Sequence, residues 1–167
     1  MFREVCLEEE TLTAYHEAGH AFAALFFGGK VLRVSIDPEN DGGRRRYGET
    51  VVKWNPRRFS DREMADLSVI VALAGPTAEM ICQNEPVHPA YVAEWADDWK
   101  QAMDVLQFIP SVRKRVEHLE KAVREIHRVF MTDSYWEVIA AIADALLAHE
   151  ILDEEMLNET VEPWMGQ

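Results

Sequence analysis

The sequence predicts a mostly α-helical chain with a small antiparallel β-sheet. Long stretches repeat apolar residues at the three-to-four spacing of a helix, and most are bounded by capping or breaking residues. Just two short stretches, 31–36 and 47–54, read as strands, and a polar Gly-containing loop joins them. With 48% hydrophobic residues over 167 positions, the chain can bury a sizeable core as one domain spanning 1–167, with 1–10 and 162–167 as frayed tails.

The first helix is expected over 7–27. Thr11 or Thr13 is placed to cap its start, and Gly28-Gly29 ends it, because glycine takes a left-handed C-cap without strain. Leu12, Tyr15, Phe22, Leu25 and Phe26 cover much of its circumference, so it should be central and buried. Gly19 inside it costs about 1 kcal/mol against alanine, and it lets another backbone or a substrate come close. In 31–36, Leu32, Val34 and Ile36 alternate with Arg33 and Ser35, which predicts a half-buried strand. Arg44-Arg45-Arg46 sits in the loop before the second strand, as an exposed tip or an acidic partner's docking point.

Ser60 and Glu63 form a capping box for a long apolar helix over 61–83, which Gly75-Pro76 should kink or restart. Further helices are expected over 91–109, ended by Pro110, and over 111–131. Another is capped by Asp133 or Ser134 and runs through Trp136, Ile139, Ala143 and Leu147, and a short last one starts at Asp153. Trp95 and Trp99, four apart, read as core or interface.

The net charge of −13 argues against a nucleic-acid binder. Two cysteines far apart, Cys6 and Cys82, make no disulfide framework and favour a cytoplasmic home. No continuous apolar run reaches the roughly 18 residues of a membrane span. The chain contains no P-loop sequence, so ATP use by that route is not expected.

The chemistry centres on His16-Glu17-Ala18-Gly19-His20. Residues four apart share a helix face, so both histidines can reach one metal ion, and two imidazoles at that spacing suit Zn²⁺. Glu17 projects beside the metal, where a carboxylate can take a proton from water. Zinc in a hydrolytic site needs a third protein ligand. The longer motif with a third histidine is absent, since Ala23 and Phe26 stand at its positions. The third ligand is left open among a later Asp or Glu and His88, His118, His127 and His149.

The segments 13–21 and 28–36 resemble the peptidase domain of the FtsH family of ATP-dependent zinc metalloproteases. The likeness continues at Leu73-Ala74-Gly75-Pro76-Thr77-Ala78-Glu79 and at Ala96-Asp97-Asp98-Trp99-Lys100-Gln101-Ala102, and more weakly over 139–157. It implies an FtsH-type helical bundle in which His16, His20 and Asp98 hold zinc, with Asp97 as the fallback. It further implies that Glu17 is the general base and that Glu79 orients a ligand histidine from behind. Val31, Leu32, Arg33, Val34, Ser35 and Ile36 resemble the edge strand beside the active site, where an extended polypeptide would bind through its backbone. The sequence departs from the family at Pro76, where an arginine is usual, and at Met80, where a second glutamate is usual. The family's ATPase module and membrane anchor have no counterpart among these residues. The expected function is a zinc endopeptidase acting on flexible or unfolded polypeptides, ATP-independent in itself. The alternative is a zinc-binding regulatory module of the same fold, and the expected assemblies are a homo-oligomer or a complex with an AAA-type ATPase.

Overall fold

The computed structural model describes residues 8–37, 48–84 and 95–165. The order of elements is α1 (Glu9–Phe26), β1 (Lys30–Ser35), β2 (Glu49–Lys53), α2 (Asp61–Gln83), α3 (Ala96–Val105), α4 (Val112–Phe130), α5 (Asp133–His149), β3 (Ile151–Asp153) and α6 (Glu154–Met165). The protein is mostly helical with one three-stranded antiparallel sheet, as the sequence predicts. Arg44, Arg45, Arg46, His88 and Cys6 lie outside the described residues.

Helix α1 is the core of the fold. Nearly every residue from Leu12 to Ala24 is buried, and its most extensive packing is against α2, followed by α5. Neither threonine caps it; the N-cap is Glu8, and the Thr13 hydroxyl donates back to the Glu9 carbonyl from inside the first turns. At the other end Gly28 has φ +88°, and the Gly28 and Gly29 amides close on Leu25 and Ala24. Gly19 is where α1 and α2 cross most closely. A Cβ there would stand 2.6 Å from both the Ala74 carbonyl oxygen and the Ala78 Cβ, so the glycine is required by the approach of the second helix.

Helix α2 begins with the expected capping box: Ser60 Oγ accepts from the Glu63 amide and the Glu63 carboxylate from the Ser60 amide. It then runs unbroken through Pro76. Of the expected kink or restart, the restart does not occur; α1, α3 and α4 pack along this helix. By length and composition α2 is apolar enough to cross a membrane, which the run-length argument missed; here more than half of that window is buried inside the fold.

Two expectations about the sheet are corrected. First, β1 is not an edge strand. The order is β2-β1-β3, with Arg33, Val34 and Ser35 paired to Asp153, Leu152 and Ile151 on one side and to β2 on the other. Over 33–35 its backbone groups are therefore already bonded on both sides, and this segment cannot take up an added peptide strand. Second, the register shifts between Val31 and Arg33, so Leu32 is an extra residue in the pairing with β2. That bulge replaces the expected face: Val31, Val34 and Ile36 are buried while Leu32 is 38% exposed.

The remaining helices follow their predicted positions with shifted ends. Helix α3 starts at Ala96 and passes into a 3₁₀ turn at Leu106–Phe108. The Ser111 hydroxyl caps α4, whereas the α5 cap is Thr132 without a side-chain bond. Asp153 caps α6 by accepting from the Met156 amide. Of the segments expected to fray, Glu9 and Glu10 begin α1, and 162–165 complete α6 with Val161 packed in the core.

Candidate metal centre and active site

Three elements bring the site together. Helix α1 presents His16, Glu17 and His20, α2 supplies Val71, Gly75 and Glu79 behind them, and α3 supplies Asp98 from its first turn. The two imidazoles stand 4.7 Å apart between ring centroids, and both residues are 8% exposed.

Each ring is held from behind through Nδ1. His20 Nδ1 lies 2.6 Å from the Val71 carbonyl oxygen, where it acts as donor. Gly75 makes this approach possible, since a Cβ at that position would collide with the His20 ring. His16 Nδ1 faces Glu79 Oε1 at 3.3 Å, a charge contact whose alignment falls short of a hydrogen bond. Glu79 is fully buried, and its other oxygen accepts the Trp95 indole N–H at 2.6 Å. With Nδ1 engaged on each ring, both Nε2 atoms turn toward Asp98 Oδ2, at 2.8 Å from His16 and 3.4 Å from His20.

Two imidazole nitrogens and a carboxylate oxygen thus converge on one point, with these atoms all within 4.8 Å of one another. All three are electron-pair donors when the rings are neutral, so the cluster needs positive charge at its centre. Without a metal only protons supply it. Burial pulls His16 down, but the Asp98 and Glu79 carboxylates outweigh it and raise its pKa to about 10. His20 is likewise raised, burial being outweighed by Asp98. Burial pushes the Asp98 carboxyl up, yet the two histidines hold it well below the usual carboxylate range. The donor set fits Zn²⁺, which is commonly held by two His and one carboxylate with a position left open.

Glu17 sits beside this cluster, 5% exposed and near enough that its charge raises both histidines. Its carboxylate is held from the sheet. Thr50 on β2 donates its hydroxyl to Glu17 Oε2 at 2.5 Å, and Gly48, just before β2, lies so close that a Cβ there would strike the Glu17 carboxylate. Sequence reasoning missed Gly48, Thr50 and the Trp95 bond. The sequence signal for the first two was a glycine and a threonine two apart at a strand entrance.

The other sequence candidates stay apart from the centre. Asp97 is exposed on α3; His118 and His149 are exposed and His127 is half-buried, and none joins the cluster among the described residues. Cys82 is a free thiol pushed up to about 11 by burial and by Glu79, so it offers no thiolate at neutral pH. Of the predicted strand, 33–35 are sandwiched within the sheet, while β2 is the strand that borders Glu17.

No protein-family model matches the chain. A curated relative does. The chain is distantly similar to part of an ATP-dependent zinc metalloprotease, FtsH of Thermus thermophilus. The two are 26% identical over 190 aligned residues, which cover 92% of this chain and 29% of FtsH. The chain therefore spans less than a third of the length of that relative, and the similarity concerns one region of it.

Proposed function

We propose that this chain is a zinc-dependent endopeptidase that hydrolyses flexible or unfolded polypeptides without using ATP itself. The observation that carries the reading is the convergence of His16, His20 and Asp98 on one point, with the Glu17 carboxylate beside it. The similarity to a region of a zinc metalloprotease supports the same chemistry.

In this reading His16 Nε2, His20 Nε2 and an Asp98 oxygen hold the ion. A zinc ion bound there supplies Lewis acidity, polarising a carbonyl and making water a stronger acid. Glu17 takes the proton from the attacking water and returns it to the leaving amine. Thr50 keeps that carboxylate aimed, and Glu79 and Val71 fix which nitrogen of each ring faces inward. An extended polypeptide alongside β2, the strand next to Glu17, would have its backbone within reach of the base.

The test is elemental analysis of the purified chain paired with cleavage of casein, with and without chelator. The expected result is about one zinc per chain and cleavage that chelator abolishes. Zinc without cleavage of an unfolded substrate would replace this reading with a regulatory module that keeps the site. A chain that neither contains nor takes up zinc would end both.

A further inference from the structure

We propose that Trp95 is a positioning residue for the metal centre, acting on two of the three ligands at once. The inference rests on the metal-binding part of the function proposed above.

Trp95 is fully buried although it stands at the N-cap of α3, where a polar residue is usual. Its indole N–H donates at 2.6 Å to Glu79 Oε2, and Glu79 Oε1 faces His16 Nδ1 at 3.3 Å. A fully buried carboxylate is costly unless donors satisfy it. The indole N–H holds the Glu79 side chain pointed so that its second oxygen meets the His16 ring. That contact selects the tautomer with Nε2 free toward Asp98. The backbone of the same residue does the second job. The Trp99 amide donates to the Trp95 carbonyl at 3.1 Å, which closes the first turn of α3, and Asp98 lies in that turn. Anchoring the indole against α2 therefore fixes where α3 begins and where Asp98 meets the histidines.

Other surfaces carry less. The groove between Leu25, Val161 and Met165 is rimmed by Glu154, Glu155, Glu159 and Glu162, and nothing indicates what would cover it.

The experiment is zinc affinity by chelator competition for the wild-type chain and Trp95→Phe, which keeps an aromatic ring and removes the N–H. The expected result is binding about 10–100-fold weaker in the folded variant, the range for partners that orient a ligand. The same substitution in a Glu79→Met background should cause little further loss, because the effect passes through Glu79. Equal affinity of Trp95→Phe and wild type overturns the inference while leaving the proposed function standing; a wild-type chain that binds no zinc ends both. If Trp95→Phe does not fold, the indole N–H resonance of Trp95 in the wild-type chain decides. It is assigned by elimination with single substitutions at Trp54, Trp99, Trp136 and Trp164. It should move on adding zinc, and an unmoved resonance overturns the inference.

Discussion

The two sides of the site are built differently. On the helical side, His16, His20, Glu79, Val71 and Asp98 come from three packed helices. Their contacts run through two buried layers: imidazoles in front, a carboxylate, a carbonyl and an indole behind. On the sheet side, β2 holds the Glu17 carboxylate of α1 by one hydroxyl, in the space that Gly48 leaves. In the proposed reading, metal retention would rest on a mutually braced helical assembly, whereas the aim of Glu17 would rest on contacts from one strand and the residue before it. The difference predicts that substitutions on the two sides separate binding from turnover.

The largest effects break that separation open. Asp98→Ala should lose both zinc and cleavage, since it removes the acceptor that both Nε2 atoms face. Glu17→Gln should keep zinc near one per chain while cleavage falls about 10²–10⁴-fold, the usual contribution of a positioned acid–base group. If zinc content falls equally in both variants, the two sides are one unit and the comparison fails.

The next effects sharpen it within the sheet side. Gly48→Ala places a methyl where the Glu17 carboxylate lies. One of them must shift, and a displacement near 1 Å can cost about 10²-fold in rate. Thr50→Val removes only the hydroxyl. A hydrogen bond to a charged group contributes about 1.5–3 kcal/mol, so a loss of about 10–150-fold in kcat/KM is expected, and Thr50→Ser should restore most of it. Zinc affinity, measured on the same preparations, should stay within about twofold for all three. A parallel drop in affinity would show that β2 braces the metal ligands as well.

What could be read from the sequence divides along the same line. His16 and His20 were legible because helical spacing alone puts them on one face, with Glu17 beside them in the same short motif, and the capping box of Ser60 and Glu63 is equally local. Asp98 came only from resemblance, since no spacing rule links α3 to α1 across the chain. Thr50 and Gly48 were not legible because their role depends on where β2 lies against α1, a tertiary fact. The strand misreading has the same origin: β3 is three residues long between two helices, too short to show a period, yet it pairs with β1 and takes away its free edge. Leu32 was assigned to the wrong face because alternation cannot reveal a bulge. Pro76 was read by its intrinsic effect on a helix, and the restart it could cause is absent from α2, which packs against three other helices.

The smallest expected effect concerns protons and metal on the helical side. In metal-free protein the His16 pKa rises from 6.5 to about 10, burial being outweighed by Asp98 and Glu79. A group whose folded pKa is raised contributes stability that is fully present below the unfolded value and is lost as pH rises through the folded one. Chelator-treated protein should therefore lose thermal stability from about pH 6.5 upward. Asp98 works at the other end: its lowered pKa stabilises the fold above the ordinary carboxylate value and the contribution fades in acid. Zinc needs both imidazoles deprotonated, so its stabilising effect must grow over the range in which the proton's fades. Melting curves from pH 6 to 9, with chelator and with saturating zinc, should diverge by several degrees, at about 2–4 °C per kcal/mol for a chain of this size. Curves that stay parallel would mean that proton and metal do not compete for His16, and the braced helical side would then be an ion-pair network rather than a metal centre.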